Sequence, residues 1–215
     1  MSTLGRMLHV WSAARHESAI TAERDLRAPL PVVRKVGFAS LNGGTGCSTA
    51  ARGVAATLSW RRSGDVLLTD RSGALPAIPD ATAAGAVQRP ELTLTDWGAT
   101  DAARLSSVAG SSHVLCLTMT TERSAVQQAL DAASFIADSG TPTVLIASAV
   151  RGRASAATKR MLASSPIPIF LLPFDRTVRR SETGAGSSAS MFALAALGAE
   201  IVRRCARANA EVAAA

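Results

Sequence analysis

VGFASLNGGTGCSTAARGVAA, residues 36 to 56, decides the fold. Val36 to Ser40 is a short apolar run with the character of a buried strand. Asn42 to Gly46 is a turn with three glycines in four positions, and a helix follows from Ser48 to about Arg61. A strand, a glycine turn and a helix in this order form a phosphate-binding loop. The glycines let backbone N–H groups converge on an anion, and the helix N-terminus adds partial positive charge. Ser48 and Thr49 stand where a hydroxyl would hold Mg²⁺.

The cation is missing. The pattern G-x-x-x-x-G-K-[ST] requires glycine where this chain has Leu41 and lysine where it has Cys47. An ammonium about 4 Å from a phosphate charge is worth roughly 4 kcal/mol at an effective dielectric near 20. That is about a thousandfold in affinity. Without another cation, a micromolar site becomes a millimolar one.

NGGTGCST, Asn42 to Thr49, resembles the deviant Walker A loop K-G-G-x-G-K-[ST]-T of the MinD/ParA-like ATPases. Gly43, Gly44, Thr45, Gly46, Ser48 and Thr49 follow it, while Asn42 and Cys47 replace its two lysines. The resemblance extends over roughly Lys35 to Arg204. It implies a first acid that supports the loop at Asp70, after the strand Val66 to Thr69. The second acid of the family's D-x-D, which helps position water, is replaced by Ser72. A Walker B acid is implied at Asp96, after the strand Leu92 to Thr95. Asp96 could instead cap the helix that starts near Asp101. Base-side residues are implied at Ser148, in place of the family's Asn, and at Pro173, Phe174 and Asp175. Arg176 to Arg180 continue that segment.

The remaining pattern alternates strands (His113 to Leu117, Pro142 to Ser148, Ile167 to Leu172) with helices (Glu122 to Asp138, Ala154 to Ala163, Ser188 to about Arg207). This argues for an α/β fold with a mostly parallel, doubly wound sheet and helices on both faces. Residues 1–30 are expected to be a partly helical leader, 31–209 the domain and 210–215 a frayed tail. Leu4, Met7, Leu8 and Trp11 share one helical face, which either docks on a partner or membrane surface or folds back on the domain. Ser72 to Glu91 is rich in Ala, Gly and Pro, and the family usually has more chain here.

The chain has 215 residues, a net charge of +7 and lysine only at Lys35 and Lys159. Arginine-rich, alanine-rich composition points to a GC-rich bacterial genome. The arginines are scattered, so a nucleic-acid surface is an alternative rather than the favoured reading. Three distant cysteines suggest neither a disulfide framework nor a zinc site, and no metal centre is expected. Cys47 is either an inert replacement for lysine or, at a helix N-terminus, a reactive thiol. No apolar run is long enough to cross a bilayer, and a cytoplasmic location is expected, with recruitment to a membrane or cell pole through a partner.

The reading is a degenerate MinD/ParA-like protein that neither hydrolyses nor tightly binds nucleotide and acts as an adaptor or localisation factor through a protein partner. No cofactor is expected beyond weakly held ATP or ADP with Mg²⁺. A homodimer and peripheral membrane contact through the basic last helix are further options. The resemblance suggests two settings: positioning of a chromosome, septum or pilus, and type VII secretion. Two rivals stand beside it. One is a working ATPase in which Arg52 or Arg71 replaces the lost lysine, giving a nucleotide switch. The other is an arginine-rich DNA-binding partition module.

Overall fold

The structure is a computed structural model that describes residues 17–30, 32–72, 90–152, 154–165, 167–175 and 186–213, with side chains as far as residue 207. Leu4, Met7, Leu8, Trp11 and Arg176 to Arg180 lie outside the described residues.

Six strands form one parallel sheet: β1 (Arg34–Ser40), β2 (Val66–Asp70), β3 (Leu92–Ala99), β4 (Val114–Thr120), β5 (Thr143–Ser148) and β6 (Ile169–Leu172). Their spatial order is β2-β3-β1-β4-β5-β6. β1 is therefore central, with β3 on one side and β4 on the other. The chain reverses its direction of travel across β1, and such a switch point opens a crevice at the C-terminal ends of the strands. Burial on both faces explains why β1 and β4 read as nearly unbroken apolar runs.

Among the described residues six helices flank the sheet: α1 (17–26), α2 (Cys47–Arg61), α3 (Ala102–Gly110), α4 (Arg123–Ala137), α5 (Ala156–Ala163) and α6 (Ser188–Ala213). Strand alternation sorts them. Val36 and Phe38 pack with α2, α6 and the end of α1 in one cluster. Ala39, Leu115 and Leu117 pack with α3, α4 and α5 in the other. α2 lies between the sheet and α6, so small residues cover most of its circumference: Ala50, Ala51, Gly53 and Ala55 are all buried. A β-carbon on Gly53 would come within 2.8 Å of Leu194 on α6.

Three elements differ from the sequence reading. β3 continues past Asp96 to Ala99, because a bulge at Trp97 lets the strand go on pairing with β1: Phe38 faces Asp96 and Ala39 faces Gly98. α3 starts at its own cap, where Asp101 accepts from the Arg104 N–H. Asp96 therefore does not cap that helix. α6 runs to Ala213 rather than ending near Arg207, as its alanine-rich sequence favours.

The core also reaches into the stretch assigned to the leader. Leu26 is fully buried and Leu30 nearly so. Arg62 fastens this stretch by donating to the Leu26 carbonyl (2.6 Å) and to Glu91 Oε1 (2.6 Å). Glu23–Arg61 and Asp25–Arg203 ion pairs tie α1 to α2 and α6.

Candidate functional site

The loop between β1 and α2 stands at the switch point. Gly44 and Gly46 have φ of 72° and 84°, the left-handed region that costs other residues about 1–2 kcal/mol. Gly46 caps α2 and offers no side-chain acceptor to its first N–H groups. An anion is the natural partner for such a helix start. The loop is pinned from below. Thr118 donates to the Ala39 carbonyl (3.1 Å), buried Thr45 pairs with Thr118 (3.2 Å), and Ser40 donates to the Asn42 carbonyl (2.9 Å). The Asn42 amide turns outward to Gln128 on α4, at 3.2 Å.

Beside the loop is a cavity of about 500 Å³. Gly44, Gly46 and Thr49 form one wall, Ser148 and Arg151 another, and Pro173, Phe174 and Asp175 a third. Three regions far apart in sequence thus meet here. Ser148 is 7 % exposed, and its hydroxyl has no hydrogen-bond partner. Asp175 Oδ2 accepts from the Ser187 N–H (2.6 Å) and the Ser190 hydroxyl (2.8 Å), which anchors the start of α6.

Cys47 lies beneath the loop. Its thiol donates to Asp96 Oδ1 at 3.5 Å, and the same oxygen accepts from the Gly98 N–H at 2.9 Å. Both side chains are buried. Burial first, and then the Asp96 charge, push the Cys47 thiol up to about 12. It is a neutral donor at ordinary pH, not a thiolate. The neighbouring strand brings Asp70 opposite Asp96 in register. Asp70 Oδ1 accepts from the Ser72 N–H (2.7 Å) and hydroxyl (2.6 Å), while its Oδ2 is buried without a donor.

Structural comparison finds this arrangement of strands elsewhere. A plasmid partition protein of Borrelia burgdorferi B31 bound to AMPPNP superposes with a TM-score of 0.58 at 14 % identity, covering 80 % of this chain and 99 % of that one. The septum site-determining protein MinD of Pyrococcus horikoshii OT3, complexed with Mg-ADP, gives 0.59 at 16 % identity, covering 79 % and 96 %. A ParA family ATPase of Chlorobium tepidum TLS gives 0.50 at 16 % identity, covering 77 % and 98 %. The chain has the MinD/ParA fold. No family model matches its sequence, and no curated protein does.

Within the MinD/ParA fold, the expected site residues fall into two groups. Gly44, Gly46, Thr49, Ser148, Pro173, Phe174 and Asp175 line the cavity. Asp70, Asp96, Thr45 and Cys47 are not among the cavity-lining residues: Cys47 bonds Asp96, Thr45 pairs with Thr118, and Asp70 bonds Ser72, with Gly43 exposed on the loop and Ser48 half-buried at the start of α2. The cavity fits a nucleotide: it has the volume, a glycine-lined helix start for phosphate, apolar Pro173 and Phe174, and one orphaned hydroxyl. Asp96 Oδ1 accepts from the Cys47 thiol and the Gly98 N–H, and Asp96 is not among the residues that line the cavity.

The proposed replacement cations are elsewhere. Arg52 Nε donates to the Ser48 carbonyl at 3.2 Å, and Arg71 lies over the Trp97 ring at 5.8 Å. Neither lines the cavity. Arg151 does, and the sequence reading did not single it out. Its signal was positional: it follows the strand ending at Ser148, at the sheet edge where doubly wound folds gather their ligands.

Proposed function

We propose that this protein is a MinD/ParA-fold adaptor that does not hydrolyse ATP and works through a protein partner. The Cys47–Asp96 pair carries this reading. Where the P-loop pattern places a lysine, a buried neutral thiol instead satisfies a carboxylate. It brings no positive charge to a phosphate. The buried, undonated Oδ2 of Asp70, which stands opposite Asp96 in register, accords with a lost cation. Ser72, in the place of the second acid, spends its N–H and hydroxyl on Asp70. It leaves no carboxylate there to orient water.

The glycine loop and the cavity support retained but weak binding of a nucleotide. Under this reading such a ligand stabilises the loop and the start of α6, and the partner reads that surface. Two arginines of the last helix are paired, Arg204 with Glu200 and Arg203 with Glu200 and Asp25, which supports a protein partner over nucleic acid. No helix among the described residues is long and apolar enough to cross a membrane.

Phosphate release from ATP with excess Mg²⁺ tests the reading. We expect no turnover above the protein-free rate. Turnover that needs Mg²⁺ and disappears in Gly46→Ala, whose backbone cannot hold the loop, would overturn it.

A further inference from the structure

We propose that Arg151 supplies the positive charge to a phosphate-bearing ligand in the cavity, and that its ion pair with Glu122 holds it in reserve until that ligand arrives. The proposal rests on the nucleotide-sized cavity described above and names the group that makes it selective for charge.

Arg151 is the one cation among the described residues that line the cavity, which Gly44 and Gly46 also line. It follows β5 in the chain rather than belonging to the glycine loop. The loop's own cation position is closed to this role, because Cys47 is buried and neutral. The Arg151 guanidinium now donates to Glu122 Oε1 at 3.3 Å. Both side chains are exposed, at 88 % and 59 %. An exposed pair of this kind contributes little, so a phosphate can displace Glu122 at little cost. A guanidinium can also bind phosphate through two parallel N–H groups, a geometry that one distant carboxylate oxygen does not use.

The opposing charge is accounted for. Asp175 also lines the cavity, but its Oδ2 accepts two hydrogen bonds at the start of α6. Its charge is directed to that helix N-terminus, where carboxylates are stabilised. The loop glycines and the α2 N-terminus then provide N–H groups on one side of a phosphate and Arg151 the formal charge on the other. Glu122 acts as an internal competitor, a carboxylate in the place of the ligand's anion.

Calorimetric titration of the full chain with ADP and with adenosine, to millimolar ligand, tests this for the wild type, Arg151→Ala, Arg151→Lys and Glu122→Gln. Removing Arg151 should weaken ADP about tenfold or more, the worth of one charged hydrogen-bonding group. Arg151→Lys should recover part of that loss, and Glu122→Gln should tighten ADP about two- to fivefold. Adenosine, which lacks phosphate, should bind all four proteins alike. ADP affinity unchanged in Arg151→Ala would overturn the assignment. So would equal losses for adenosine and ADP, which would mark Arg151 as structural. A wild type that does not bind ADP would overturn it as well, while leaving the non-hydrolysing adaptor reading in place. That reading fails separately, on Mg²⁺-dependent phosphate release.

Discussion

Ser148→Ala should make the protein more stable and its cavity less able to bind. Ser148 Oγ is buried beside Gly46 and has no partner. Leaving a buried hydroxyl unpaired costs about 1–3 kcal/mol. The alanine removes that penalty and leaves a gap of a single atom, so a net gain of about 1 kcal/mol is expected. For a chain of this length that raises Tm by about 2–4 °C. Urea unfolding should show a higher midpoint with an unchanged slope. Affinity for ADP should fall by about three- to tenfold, since the hydroxyl is then missing from the ligand's side. A loss of stability of 1 kcal/mol or more would refute the reasoning, because it would mean that the hydroxyl is satisfied within the fold.

Glu91→Ala leaves the Arg62 guanidinium, 2 % exposed, with only the Leu26 carbonyl to meet; breaking a buried pair in this way should cost about 3 kcal/mol in urea unfolding. The three cysteines are buried, and burial raises each thiol above its ordinary value. Iodoacetamide at pH 8 should therefore label all three only after denaturation, and fast native labelling of Cys47 would restore the reactive-thiol reading. His113 Nδ1 accepts from the Lys35 N–H at 3.0 Å, and burial, then Arg34 and Lys35, hold its pKa below 6.5. The unfolded chain takes up this proton more readily, so the contribution is complete above pH 6.5 and is lost as pH falls through the lower folded value. The urea midpoint of His113→Asn should fall less than that of the wild type over that range.

The central loop and the sheet type were legible because each rests on local chemistry. Glycines at 44 and 46 meet a backbone requirement that no other residue meets cheaply, and runs such as Val114 to Leu117 suit strands buried on both faces. The order of strands was not legible. Nothing local to Leu92 to Thr95 says that it inserts between β2 and β1. The bulge at Trp97 was hidden too, since Gly98 looks like a strand end when read alone. In the site, the convergence of Ser148 and Pro173 on the loop followed from the family's layout. The Cys47–Asp96 bond did not, because a thiol and a carboxylate 49 positions apart carry no spacing signal. Leu26 was missed for a similar reason: a helix that packs its last turn into the core looks, from sequence, like any short amphipathic leader.

The central place of β1 has a consequence for synthesis. Its neighbours β3 and β4 both come later in the chain, ending at Ala99 and Thr120. β1 is therefore unable to pair on either edge until β3 has been made, and on both edges until β4 has followed. During that interval Val36 to Ala39, an apolar segment with both edges open, is exposed to pairing with other nascent chains. A chaperone that holds extended apolar segments is the natural companion of these residues until β4 has emerged, and slow translation over residues 92 to 120 would prolong that dependence.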